Sequence, residues 1–173
     1  MTVANLQRES VEEFLQSYEE AWAARDPDRI AAAFTDDAVF DDPATTETLH
    51  GRAEVRRFAA AIFRMAPDFT VASLDGPYVS ASRPWVLVPY RMSGTATGHW
   101  EFLDMAPTGR RFEIEGVDRY EMRDGLIARY ATFYDASDMS RQLGVLPPPG
   151  SRAEGAMMRL QHVQARFVRR FGR

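Results

Sequence analysis

Apolar and polar residues alternate most cleanly between Arg111 and Arg123. With a period of two, Phe112, Ile114, Gly116, Asp118, Tyr120 and Met122 share one face. Arg111, Glu113, Glu115, Val117, Arg119, Glu121 and Arg123 share the other, which predicts a strand with one wet and one apolar side. Similar patterns predict strands over Phe69–Leu74, Trp85–Ser93, Thr97–Met105 and Leu126–Tyr134. Turns at Pro107-Thr108-Gly109 and Arg123-Asp124-Gly125 flank the Arg111 strand. A short strand, Ala38–Pro43, is stopped by its proline and puts Ala38, Phe40 and Asp42 on one face, Val39 and Asp41 on the other.

Helical spacing governs the remaining segments. Ser10-Val11-Glu12-Glu13 reads as a capping box, followed by the stripe Val11, Phe14, Leu15, Tyr18, Trp22 and Ala23. Ala24-Arg25-Asp26-Pro27 ends that helix and caps a second over 28–34. A polar loop over 44–50 leads to a third helix, from Gly51 to about Met65, with Val55, Phe58, Ala59, Ile62 and Phe63 inward. A short helix over 138–143 closes at Gly144, and a Pro-rich linker follows. The last helix has the stripe Ala156, Met157, Leu160, Val163, Phe167 and Phe171. Three helices followed by a meander predict an α+β fold, a cone-shaped curved antiparallel sheet wrapped around the three N-terminal helices, plus a C-terminal amphipathic helix. Residues 1–146 form the domain and 147–173 the linker and basic helix.

Charge sharpens the picture of that tail. All 21 Lys+Arg positions of the 173-residue chain are Arg. Residues 151–173 carry six Arg and one Glu, +5, leaving −9 on the rest. An acidic body argues against nucleic acid as a partner. The basic helix is expected to dock on that body or on a second subunit; membrane contact and a frayed terminus are the alternatives. With no Lys and no Cys, Schiff-base, thiolate and disulfide chemistry are excluded. No 18-residue apolar run is present, and residues 1–14 lack a basic start and apolar core, so a cytoplasmic protein without membrane contact is expected. No phosphate loop, dinucleotide fingerprint, zinc spacing or nucleophile elbow occurs, so no cofactor or metal is expected.

Two residues stand out on their faces. Asp118 is a lone carboxyl on an apolar face, either satisfied by its surroundings or protonated and able to donate. Tyr18 faces inward from the first helix, and a buried phenol needs a partner.

The chain carries Tyr18-x-x-x-Trp22, the run from Phe34 to Pro43, His50-Gly-Arg52, the run Ala106–Phe112, the run Asp118–Gly125 and Arg141-Gln-Leu-Gly144. Through these it resembles the nuclear-transport-factor-two-like superfamily, and within it the SnoaL-like cyclases and ketosteroid isomerases. The resemblance spans about residues 10–146. It implies a base at Asp42, with Tyr18 and neutral Asp118 as donors to an enolate oxygen. The implied lining is Trp22, Phe40, Phe58, Phe63, Trp100, Tyr120, Thr132 and His99. The implied substrate is a small hydrophobic carbonyl compound, and a homodimer is expected. The polyketide-cyclase and epoxide-hydrolase patterns fit less well, because Thr132 stands where both have an acid Asp and Asp135 faces the other way. The epoxide hydrolases also want an Arg-x-Asp pair that Arg91-Met92-Ser93 lacks, so epoxide hydrolysis is disfavoured. Isomerisation and ring closure remain. A dehydratase using His99 or His50 and a non-catalytic binding module are the other readings.

Overall fold

The computed structural model describes residues 8–171, with side chains through Arg166. The side chains of the expected stripe positions Phe167 and Phe171 and of the basic positions Arg169 and Arg170 lie outside what is described, as do residues 1–7 and 172–173. Helix α1, Arg8–Ala23, turns Val11, Leu15, Tyr18 and Ala21 into the core. It begins ahead of Ser10, so Ser10 does not cap it, and Ala23 is exposed where Ala21 is buried. Asp26 does cap α2, Pro27–Ala32, accepting from the Asp28 and Arg29 amides at 3.0 Å. That helix stops two residues before Phe34, whose fully buried ring opens strand β1, Phe34–Asp41.

Leu49–His50, expected as loop, forms β2, and α3 covers Arg52–Met65. Strands β3 (Thr70–Ser73), β4 (Tyr78–Val79), β5 (Trp85–Thr95), β6 (Arg111–Arg123) and β7 (Leu126–Tyr134) follow. The sheet order is β2-β1-β7-β6-β5-β3, with β4 beside β5. The β5-β6-β7 meander is antiparallel, whereas β1 pairs with β7 in parallel. The β6–β7 hairpin closes at Asp124-Gly125. The alternation expected for β6 is realised, with Phe112, Ile114, Asp118, Tyr120 and Met122 buried.

No strand forms over Thr97–Met105; one bridge, Trp100 to Met105, is all the pairing there. At Gly98 the chain turns onto the end of α3. A Cβ there would come within 2.1 Å of the Arg64 carbonyl oxygen, and the Gly98 amide donates to Met65 O at 2.8 Å. The apolar residues of this loop therefore pack inward from turns, with Trp100 and Phe102 buried.

Burial of aromatic rings supplies much of the core's stabilisation. Phe40 stacks on Tyr130 at 4.3 Å and meets Phe58 at 4.7 Å. Helix α4, Ala136–Gln142, is capped by Asp135 and follows directly on β7. Its Gln142 side chain accepts from the Glu113 amide at 2.8 Å and donates to the Glu113 carbonyl at 3.0 Å. Helix α5, Arg152–Phe171, buries none of its described side chains; Met157, Leu160 and Val163 are exposed. No side chain of the expected stripe is buried against the body among the described residues. Among the described residues, no helix is long and apolar enough to cross a membrane.

Candidate active site

Asp42 follows the last residue of β1, where Pro43 stops the strand and turns the chain. Its Oδ1 accepts from the Ala44 amide at 2.7 Å and from the Tyr134 hydroxyl at 3.0 Å. Burial pushes its pKa up to about 6, against the opposing effect of those two donors. Asp41 points the other way and accepts from Thr48.

Asp118 sits mid-strand on β6, opposite Val88 of β5 and Thr132 of β7. Its Oδ2 accepts from Tyr120 and its Oδ1 from Tyr130, each at 2.9 Å. Burial raises its pKa to about 7, while hydrogen bonds from Thr132, Tyr120 and Tyr130 oppose the shift and the Asp42 charge adds to it. Asp118 is thus held by two phenols rather than by Tyr18. Burial, then the nearby Asp118 charge, holds the Tyr18 phenol well above its usual pKa, so it stays a neutral donor. Its ring meets that of Tyr120 edge-on at 6.1 Å.

These groups border two adjoining cavities. A deep chamber of about 60 Å³ is lined by Tyr18, Asp42, Asp118, Tyr120 and Tyr130. A wider one of about 290 Å³ is lined by Asp42, Trp100, Tyr134, Met139 and Leu143. Asp42, Phe58, Ile62, Phe69 and Met92 border both. Asp42 also borders a groove of about 560 Å³ beside Thr132 and Phe133.

The residues expected from the sequence fall into several places. Tyr18, Asp42 and Asp118 come together in the deep chamber, with Trp22, Phe40 and Tyr120 in its wall. Phe58 borders both chambers and Trp100 the wide one, where its Nε1 donates to Ala44 O at 2.8 Å. Thr132 is buried, hydrogen-bonded to Tyr90 at 2.7 Å, and borders the groove rather than either chamber. Phe63 lies behind Trp22, at 5.7 Å, beneath the Arg25 guanidinium. His99 is on an exposed loop beside Asp104 at 3.0 Å, and His50 is exposed. Neither His nor Phe63 lines a chamber among the described contacts.

Tyr130 and Tyr134 carry much of the site and were not singled out from the sequence. The signal was present: both lie two residues from Thr132, so strand alternation puts them on its face. Among the described residues, no three His, Asp or Glu side chains converge to hold a metal.

The structure is similar to TsrD from Streptomyces laurentii, with 23% identity, a TM-score of 0.68, and coverage of 82% of this chain and 99% of that one. It is also similar to a candidate SnoaL-like polyketide cyclase from Jannaschia sp. CCS1, at 21% identity and a TM-score of 0.65, covering 85% and 99%. A third similar structure is a protein from Catenulispora acidiphila with a ketosteroid isomerase-like fold, at 19% identity and a TM-score of 0.64, covering 79% and 98%. These likenesses establish the fold. No curated protein matches the chain. Residues 14–130 match the SnoaL-like domain, and the chain belongs to that family.

Proposed function

We propose that the protein is a cofactor-independent acid–base enzyme acting beside a carbonyl of a small apolar molecule, moving a double bond or closing a ring through an enolate. The observation that carries this reading is Asp42, a half-buried carboxyl with a raised pKa in the wall common to both chambers. Ionised Asp42 takes the α-proton. The C–H electron pair moves into the adjacent C–C bond, and the carbonyl oxygen becomes negative. Neutral Tyr18 and protonated Asp118 are the proposed donors to that oxygen in the deep chamber. The enolate then takes the proton back at another carbon, or attacks a second carbonyl whose oxygen receives it. The apolar remainder of the substrate fills the wide chamber. The test is exchange of the α-protons of 2-tetralone in D₂O, followed by NMR. Asp42→Asn is expected to slow enzymatic exchange by about 10²- to 10⁴-fold; unchanged exchange overturns the reading.

A second reading has its own support. Both oxygens of Asp118 are already hydrogen-bonded and the deep chamber is small, as suits a binding module that holds an apolar ligand without chemistry. Absence of exchange in the wild type, with 2-tetralone still bound, favours it. The proposed homodimer is supported by the exposed Leu87 and Phe133 on the outer sheet face, and light scattering tests it.

A further inference from the structure

The proposed reading leaves one polar group of the wide chamber without a role. Tyr134 ends β7, and its hydroxyl donates to Asp42 Oδ1 at 3.0 Å while its side chain lines the 290 Å³ cavity. The other polar side chains around that cavity are differently engaged. Ser140 donates its hydroxyl to Ala136 O at 2.7 Å, and the Asp104 side chain is 98% exposed. The Trp100 indole is hydrogen-bonded to Ala44 O. A ligand in the wide chamber therefore faces a wall of Phe, Met and Leu side chains broken by one inner polar pair, Asp42 and Tyr134. The deep chamber, about 60 Å³, has room for little more than the carbonyl end of a molecule.

We propose that Tyr134 is a positioning residue of the enolising site, lending its hydroxyl to Asp42 Oδ1 and so keeping the base charged and fixed in the wall common to both chambers. The inference rests on Asp42 acting as the base. The physical reason is the change in acceptor strength. A carboxylate is a strong acceptor for a phenol O–H, and a neutral acid is a weaker one. The hydrogen bond is therefore strongest while Asp42 is charged, and it favours the ionised base. Tyr134 transfers no proton; it sets the strength of the base. Burial and the Asp42 charge both hold its phenol far above its usual pKa, so it remains a donor throughout. Its ring is held by strand β7 next to the 42–44 turn, which fixes the hydroxyl on the same Asp42 oxygen that accepts from the Ala44 amide.

The same hydrogen bond makes Asp42 a stronger acid, because it favours the charged form. Asp42 is surrounded by Tyr90, Tyr130 and Tyr134 from the sheet, Asp118 from β6, Asp104 at the wide-chamber wall, and Asp41, Glu47 and Arg119 beside the outer groove. Tyr134 is the side chain among them that hydrogen-bonds its carboxyl.

The test uses the full chain with 2-tetralone as the probe, comparing wild type, Asp42→Asn, Tyr18→Phe and Tyr134→Phe by α-proton exchange across pH, together with a ¹³C-carboxyl titration of Asp42. Tyr134→Phe is expected to move the Asp42 titration and the acid limb of the rate to higher pH. A purely structural phenol would shift neither limb nor titration. If Tyr134→Phe does not fold, 3-fluorotyrosine at 134, a stronger donor on the same ring, is expected to move the Asp42 titration to lower pH. A wild-type limb in Tyr134→Phe, or an unmoved titration in the fluorotyrosine protein, overturns the inference, while loss of exchange in Asp42→Asn still upholds the base. Retention of exchange in Asp42→Asn overturns the reading beneath it.

Discussion

Gly116 lies beneath the ring of Tyr90, its direct partner across β5 and β6. A Cβ at 116 would stand 2.6 Å from the Tyr90 hydroxyl and 2.8 Å from the Phe133 carbonyl oxygen. The missing side chain is what lets Tyr90 lie flat and reach Thr132 at 2.7 Å. Gly116→Ala is expected to cost about 1–3 kcal/mol through overpacking. Thermal denaturation checks this, and Tyr90→Phe in the same chain should recover part of the loss.

Asp118 makes stability depend on pH. Its folded pKa, about 7, lies above the ordinary carboxyl value, so the folded state binds the proton more tightly than the unfolded one. Its contribution is complete below about pH 4 and is lost as pH rises toward 7, at most about 4 kcal/mol in all. Asp118→Asn, which stays neutral, should flatten that slope and be relatively more stable above pH 7. Urea denaturation at pH 4.5, 6 and 8 measures it.

The base has its own pH signature. Asp42, raised to about 6, must be ionised to take a proton. Enzymatic exchange of 2-tetralone should fall on the acid side with a midpoint near that value, and fall again above about pH 7 as Asp118 loses the proton it donates. A profile flat from pH 4.5 to 8 would contradict the assignment.

Trp100 ties the loop after β5 to the turn that holds Asp42, through its bond to Ala44 O. Trp100→Phe keeps most of the ring contact with Phe58 and Phe102 but frees that carbonyl, at a cost of about 1–2 kcal/mol. Trp100→Ala also opens a cavity and should cost about 3–5 kcal/mol. Comparing the two melting curves separates the hydrogen bond from the packing.

Removal of residues 147–173 should leave the melting temperature nearly unchanged, within about 0.5 kcal/mol of stability. The described part of α5 contributes no buried side chain to the core. A fall of many degrees would show that the helix braces the body.

Much of the fold was legible because it is written in local periodicity. The β6 face, the inward run Ala38-Phe40-Asp42 and the inward position of Tyr18 follow from spacing alone. The misreadings have a common cause in contacts distant along the chain. Thr97–Met105 alternates like a strand, but Gly98 seats it on α3, which no local pattern announces. The parallel pairing of β1 with β7, Val39 beside Arg129 and Phe40 beside Tyr130, joins segments some ninety residues apart. That pairing is what carries Tyr134 to Asp42. Tyr130 and Tyr134 share the face of Thr132 by alternation, but which of them reaches Asp118 and which Asp42 needed the pairing of β7 with β6 and β1. For Asp118 the sequence showed where the carboxyl points, while its two phenol partners needed the register of β6 on β7.

The Gln142 clasp on Glu113 protects the surface of the fold. β6 extends past the end of β7, whose pairing stops at Gly116 and Tyr134, so the next residues of β6 would present bare amides and carbonyls along that edge. Such an edge is a template for strands of other molecules. One glutamine occupies both backbone groups of Glu113, in the way a neighbouring strand would, and helix α4 stands over the overhang. The same short helix that roofs the wide chamber thereby also closes an adhesive edge, so loosening α4 would expose the chain to aggregation as well as open its cavity.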